Sequence, residues 1–466
     1  MPRFIDRGGA QGTICARTGA ASDEGPGWPC SRCRVRILFV TPFLPSPPRF
    51  GAQRRLDGVI RGLGQHHDVS LLSFFDPRDD ISSAIREAET YCEKVVTIAN
   101  DRYALTTRQK RLLQTRSLLS RRSFESFVYH SPPMQRALEK LVTEEAYDVV
   151  NFEFSQMTTN RPTDGRVVRC GAIFVLDEHN IEYDILRRTA SSALSLDRRL
   201  YSLLDWRKLR REEQQSWRRF DGCAVTSARD EELLRRDVPT ARTVVVPNAV
   251  DVDFFRPSNG CGDADSMSLL FFGAGNYHPN TDGLLFFLRE IMPRLRARYP
   301  SIMLRIVGPL IPPEIEAHAG DGVEVTGLVD DIRPYLERAT VIIAPLRIGG
   351  GTRFKILEAM AMGKAVVSTA VGAEGIDVRN GSDIMLADRP EEFAFQVGRL
   401  LEDEALRRSM GSEARRLIEQ RYSWAASVDK LEEFYGEIMG RRAVPGGAPN
   451  EASDPASRRS GRGPAG

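Results

Sequence analysis

Two short apolar runs, Val341-Ile-Ile-Ala344 and Ala365-Val-Val-Ser368, enclose a glycine loop and a helical segment, and this arrangement restricts the fold more than any other stretch of the chain. The order strand, loop, helix, strand is a βαβ unit, which belongs in a parallel sheet covered by helices. Gly349, Gly350 and Gly351 let the backbone approach a ligand closely, and a helix beginning near Thr352 presents unpaired amides and its positive dipole end to that ligand. The stretch is therefore an expected anion site. Arg353 and Lys355 add two positive charges at its mouth, and Glu358, three residues beyond Lys355, can share a helix face with it. Cations for phosphate beside a carboxylate for hydroxyls point to a nucleotide.

The same order opens two separate parts of the chain. Val35 to Val40 reads as a strand, a Pro-rich loop follows, Gly51 to Leu63 has Leu56, Val59, Ile60 and Leu63 on one helical face, and Asp68 to Ser73 is the next strand. Much later Leu269 to Gly273 reads as strand, Ala274 to Asn280 as loop, Thr281 to Arg298 as helix and Ile302 to Gly308 as strand. A chain of 466 residues exceeds what one core organises. The expected fold class is therefore α/β, with two doubly wound Rossmann-like domains facing across a cleft. The expected boundaries are an N-terminal extension at 1–34, a first domain at 35–257, a linker at 258–267, a second domain at 268–421, a final helix at 422–439 and a Gly/Pro/Ser/Arg-rich disordered tail at 440–466. The helical pattern from Pro390 to Arg421 closes the second domain.

Several classes are excluded or disfavoured. The net charge is only +2, which gives no global argument for nucleic acid as a partner. Seven scattered cysteines do not form a disulfide framework, and Cys30-Ser-Arg-Cys33 lacks a second pair at metal spacing. The first residues lack the apolar core of a signal peptide, and no run reaches the roughly 20 apolar residues of a spanning helix, so a cytoplasmic location is expected. Thr106 to Arg122 is helical and basic, carrying Arg108, Lys110, Arg111, Arg116, Arg121 and Arg122 around four leucines. It reads either as a solvated helix or as a surface meeting anionic lipid headgroups or a phosphorylated acceptor.

Ile343 to Thr369 closely resembles the donor-site motif of the GT-B glycosyltransferases of family four (glycosyl transferases group 1). Val246-Pro-Asn-Ala-Val-Asp-Val-Asp-Phe-Phe255 resembles that family's segment before the interdomain linker, and Leu270 to Asn280 resembles the start of its C-terminal domain. The resemblance covers about residues 35 to 438. It implies that the second domain binds a nucleotide-sugar donor, that the first is the acceptor side, and that the final helix, Trp424 to Ile438, returns to brace the first domain. It also implies that Glu358 holds the ribose hydroxyls while Arg353 and Lys355 neutralise the diphosphate leaving group, with no metal and no cofactor. Asp251-Val-Asp253 matches a metal motif only literally, since it precedes the linker. The donor-binding set is then Gly51, Gly275, Asn276, Gly350, Gly351, Thr352, Arg353, Lys355 and Glu358, and the catalytic set His179, Arg353 and Lys355. His179 matches a histidine near the reacting sugar, and Gly51 the glycine of a first-domain loop that closes over the diphosphate.

The chain departs from the family pattern in two places. A glutamate usually stands eight positions before Glu358, where Gly350 is found, and the usual Arg and Lys after the first strand of the second domain are replaced by Asn276, His278 and Asn280. Glu153 and Glu182 sit at comparable strand ends, where either could touch the acceptor. The expected function is a retaining glycosyltransferase acting on a glycan or lipid-linked acceptor, peripheral at a membrane. A catalytically silent nucleotide-sugar-binding subunit and a GT-B nucleotide-sugar epimerase are its rivals.

Overall fold

The computed structural model describes residues 34–48, 50–162, 171–191, 196–258, 267–348 and 353–443. Runs such as Ile37-Leu38-Phe39-Val40 are apolar on both faces, so they are stable only where helices cover the sheet on both sides. The first sheet contains β1 (Arg36–Thr41), β2 (Asp68–Phe75), β3 (Lys94–Ala99), β4 (Val149–Glu153), β5 (Ile173–Glu178), β6 (Gly222–Val225) and β7 (Thr243–Val245). Its order is β3-β2-β1-β4-β5-β6-β7, and every pairing is parallel. The second contains β8 (Ser268–Phe272), β9 (Met303–Val307), β10 (Val323–Gly327), β11 (Val341–Ala344), β12 (Val366–Ser368) and β13 (Met385–Leu386). Its order is β10-β9-β8-β11-β12-β13, again all parallel.

Each sheet has an apolar cluster on either face. In each, the first strand is central, with the second strand on one side and a later strand on the other. That reversal opens a crevice at the carboxyl ends of β1 and β4, and of β8 and β11, where open α/β sheets take ligands.

The helix Trp424–Ala443 ties the two halves together. It starts beyond Ser423, which bridges to Val250, and it buries Val428, Leu431, Phe434, Tyr435 and Ile438 beside Leu56, Val59 and Ile60 of the first helix, Gly51–His66. Close approach needs small residues: a Cβ on Gly58 would lie 2.3 Å from the Trp424 ring, and one on Gly62 2.6 Å from Val428. The helix runs four residues past the expected limit of 439, because Arg441-Arg442-Ala443 favour helix and the first proline comes at 445.

Other elements depart from the sequence reading for local reasons. The helix expected at Thr281–Arg298 spans His278–Phe286 and Met292–Arg298, joined by a π segment at Phe287–Ile291. Pro293 has no amide to give to the preceding turn, and the ladder widens just before it. The helix expected over Pro390–Arg421 breaks at Asp403, whose carboxylate accepts the Leu406 amide at 2.8 Å and starts a second helix. The two-residue β13 carries no periodicity and escaped the reading. The basic helix spans Thr107–Leu118 after a Thr106–Gln109 capping box, and Leu112 is 72% exposed, so the leucines there do not form a core face. Most of the linker and both tails lie outside the described residues.

Gly58 is interior to a helix, so alanine would ordinarily stabilise it by about 0.5–1 kcal/mol. Here Gly58→Ala is expected instead to lower stability by about 1–3 kcal/mol through collision with Trp424, read as a fall in the urea midpoint. An unchanged or raised midpoint would contradict the packing of the two helices.

Candidate functional site

Both crevices open into one cleft of ≈ 540 Å³. From the second domain, the helix Phe354–Ala361 follows β11, with Arg353 as its N-cap. Arg353 and Glu358 line the cleft while being only 7% and 5% exposed. Lys355 donates from Nζ to Asn280 Oδ1 at 2.7 Å and lies 4.0 Å above the Phe271 ring. Asn280 is held in turn by its Nδ2 on the Ala274 carbonyl at 2.8 Å. Gly273 follows β8 with φ of +143°, and a Cβ there would lie 3.0 Å from Lys355 Nζ. A side chain at this position would displace the lysine.

The electrostatics of this wall are set by burial. Burial and the like charge of Arg353, opposed by Glu358, push the Lys355 ammonium down to about 7. The same burial pushes the Glu358 carboxyl up, against the opposing charges of Arg54 and Lys355.

The first domain supplies the facing wall. Gly51 begins the helix after β1 so close to Phe354 of the other domain that a Cβ would lie 3.1 Å from the ring. One turn on, Arg54 Nη1 pairs with Glu358 Oε1. His179, just beyond β5, is buried and lies 3.8 Å from the Phe154 ring, whose backbone adopts φ of +69°. Its Nε2 meets Glu153 Oε2 at 2.7 Å. Burial pushes the imidazole down to about 3 and Glu153 up to about 8, so a neutral ring and a protonated carboxyl share this contact. Asn151 Nδ2 donates to Glu153 Oε1 at 2.8 Å, and Tyr435 of the last helix donates to Asn151 Oδ1 at 2.9 Å.

Of the residues singled out in the sequence, Gly51, His179, Asn276, Arg353, Lys355 and Glu358 come together on this cleft. Gly275 does not: it is buried against Leu310 and Ile311, where a Cβ would sit 2.5 Å from a backbone oxygen, because the loop after β8 packs on the loop after β9. Gly350, Gly351 and Thr352 lie outside the described residues. Glu153 reaches the site through His179, and Glu182 is not among the cleft-lining residues. Arg54 was missed. Its spacing of three from Gly51 was the available signal, but only the meeting of two domains gives it a partner.

Glu153, Asp177 and His179 could in principle gather a cation, their ligand atoms lying within 4.8 Å of one another. The donor set does not fit one. Both Asp177 oxygens already accept from Arg55 Nη2, at 2.9 and 2.8 Å, and a cation would sit against that buried guanidinium.

Residues 267–403 match the family model described as glycosyl transferases group 1. Over this segment the chain is similar to that family. The chain is 25% identical over 228 residues to the phosphatidylinositol N-acetylglucosaminyltransferase gpi3 subunit of Schizosaccharomyces pombe, covering 46% of this chain and 48% of that protein. It is 28% identical over 206 residues to the phosphatidyl-myo-inositol mannosyltransferase of Mycolicibacterium smegmatis, covering 42% and 52% respectively. The chain thus spans about half the length of these relatives. Anabaena HepE in complex with UDP superposes with a TM-score of 0.62 at 16% identity, over 86% of this chain and 99% of that one. The fold is GT-B, in agreement with the resemblance read from Ile343–Thr369.

His179 is expected to stay neutral from pH 8 to pH 5, when the other five histidines are followed alongside it by NMR of the imidazole nitrogens. The shifts of the pair also have opposite linkage. As pH falls from about 8 to 6.5 the native state gains a proton on Glu153 and stability rises; below 6.5 the unfolded histidine gains one too, and the two effects cancel down to about 4.5. A His179 signal that titrates near 6.5 would refute the neutral pair.

Proposed function

We propose that the chain is a retaining, metal-independent glycosyltransferase that moves a hexosyl group from a nucleoside diphosphate sugar to a glycan or lipid-linked acceptor. The observation that carries this reading is the convergence of Arg353, Lys355 and Glu358 from one domain with Gly51 and His179 from the other on a single cleft. Glu358 accepts the ribose hydroxyls. Arg353 and Lys355 stabilise the charge that builds on the β-phosphate as the sugar departs, an interaction stronger in the transition state than in the ground state.

His179 stands at the sugar, where a neutral imidazole can hydrogen-bond a hydroxyl without adding charge. Among the described residues no pair of carboxylates flanks the cleft as nucleophile and acid/base, which agrees with a route in which the departing phosphate takes the acceptor proton, and retention is carried over from the family. UDP in the HepE structure supports a nucleoside diphosphate donor, and relatives named for phosphatidylinositol substrates support a lipid-linked acceptor. Among the described residues no helix is long and apolar enough to cross a membrane. The exposed basic helix Thr107–Leu118, with Leu112, Leu118 and Leu119 exposed, supplies the peripheral contact with anionic lipid.

The test is nucleoside diphosphate release from UDP-, GDP- and ADP-sugars, with phosphatidylinositol or oligosaccharide acceptors and without. Turnover of one pairing is expected; tight donor binding with no turnover for any pairing would leave a binding subunit instead. Glu358→Ala is expected to weaken nucleotide binding by about 10–100-fold, and Arg353→Ala to lower kcat by about 100-fold or more with a smaller effect on affinity.

Affinity for the donor sugar nucleotide is also expected to depend on pH. A bound diphosphate favours the Lys355 ammonium, so the complex holds more protons than the free protein above pH 7. Affinity is then greatest below about 7 and falls as pH rises through it, and Lys355→Met flattens the profile in titration calorimetry. A wild-type profile that is flat from pH 6 to 9 would remove Lys355 from the phosphate site.

A further inference from the structure

Glu358 is a carboxylate at 5% exposure on a helix of the second domain, and the group that holds it belongs to the other domain. Arg54 projects from the first helix, with its guanidinium on Glu358 Oε1 and 5.9 Å above the Phe354 ring. The backbone makes room for this approach at Gly51, where a side chain would strike the same ring. The arginine side chain itself is 44% exposed, so the pair lies at the wall of the cleft rather than deep in either core.

A buried carboxylate accepts strongly from hydroxyl donors only while it is ionised and fixed in orientation. Burial works against the first condition at Glu358. Arg54 is the largest charge opposing it, ahead of Lys355 on the carboxylate's own helix. With Oε1 engaged by the guanidinium, Oε2 and the remaining lone pair of Oε1 are left for a vicinal diol.

We infer that Arg54 is the positioning residue of the ribose site: reaching across from the first domain, it orients Glu358 and keeps it charged, so that recognition of the ribose diol is complete only when the domains are apposed. This rests on the reading of Glu358 as the ribose ligand. Opening the cleft separates Arg54 from Glu358 and leaves a buried carboxylate without its main counter-charge, which weakens its hold on the sugar hydroxyls. Release of the spent nucleotide is thereby tied to domain opening through one ion pair.

The test compares binding of ribonucleoside diphosphates (UDP, GDP and ADP) with binding of their 2′,3′-dideoxy counterparts, by titration calorimetry on the full chain. The wild type is expected to prefer the ribo form of its best base by about tenfold or more, the contribution of charge-assisted hydrogen bonds to a diol. Arg54→Met, on a partly exposed helix position, is expected to lose most of that preference while binding the dideoxy form nearly as well as the wild type. Arg54→Lys recovers part of the preference, and Arg54→Met adds little in a Glu358→Gln background. Loss of affinity for both forms alike, or a preference that survives Arg54→Met, would overturn the role of Arg54. So would tighter ribonucleotide binding by Arg54→Met, which would make the arginine a competitor of the ribose. A preference unchanged by Glu358→Gln alone would instead overturn the assignment of Glu358 to the ribose, and this inference with it.

Discussion

A guanidinium sealed from water organises the first domain. Arg55, 1% exposed, donates to both oxygens of Asp177, to the Val246 carbonyl at 2.9 Å and to Asn248 Oδ1 at 3.3 Å. A buried charge is tolerable only when paired and hydrogen-bonded in this way, because desolvation costs several kcal/mol per ion. The contacts lock three elements together: the first helix, the end of β5 and the segment that leaves β7 for the second domain. Successive helical residues are about 100° apart, so fixing Arg55 inward turns Arg54 toward the opposite domain. Asp177 stands two residues before His179, and the same ion pair therefore sets the strand end that presents the histidine.

The two walls of the cleft are charged in complementary fashion. Among the described residues the first presents a neutral imidazole locked to a protonated carboxyl, and the projecting Arg54. The second concentrates Arg353, Lys355 and Glu358 on one short helix whose amino end faces the same space. A lysine whose charge is disfavoured by burial beside an arginine is most stabilised when an anion arrives, which is the electrostatic character expected of a diphosphate site. The non-glycine residue Phe154 at positive φ lies beside His179, and backbone strain of that kind persists where surrounding contacts hold it.

The domains are connected twice, by the segment before β8 and by the return of the chain into the last helix, and both passages meet at the bridge between Val250 and Ser423. Arg415 reinforces this crossing by donating to the carbonyls of Ala361 at 2.6 Å and Val252 at 2.9 Å. The last helix then carries Tyr435 to Asn151, two bonds away from His179 through Glu153. A helix that begins at this crossing thus reaches the hydrogen-bond network of the site.

Local patterning in the chain was enough for the strands, the two doubly wound domains and the polarity of the helix after β11. β-branched runs bounded by glycine and amphipathic helices of fixed spacing are properties of neighbouring residues, and Arg353, Lys355 and Glu358 lie within one and a half turns. Short elements without periodicity were not legible, as β13 shows, and neither were breaks that depend on one side chain, such as the cap at Asp403. Gly275 was read as a donor residue from the resemblance carried by Leu270–Asn280, whereas packing of one loop on another places it against Leu310 and Ile311. The partners of the site were decided only in three dimensions. Arg54 and Glu358 are 304 positions apart, His179 and Glu153 come from different strands, and Arg55 finds Asp177 across the sheet edge. Long-range ion pairs depend on which strand ends the crossovers bring together and on how much water is excluded there, and neither quantity is written in any local stretch of the sequence.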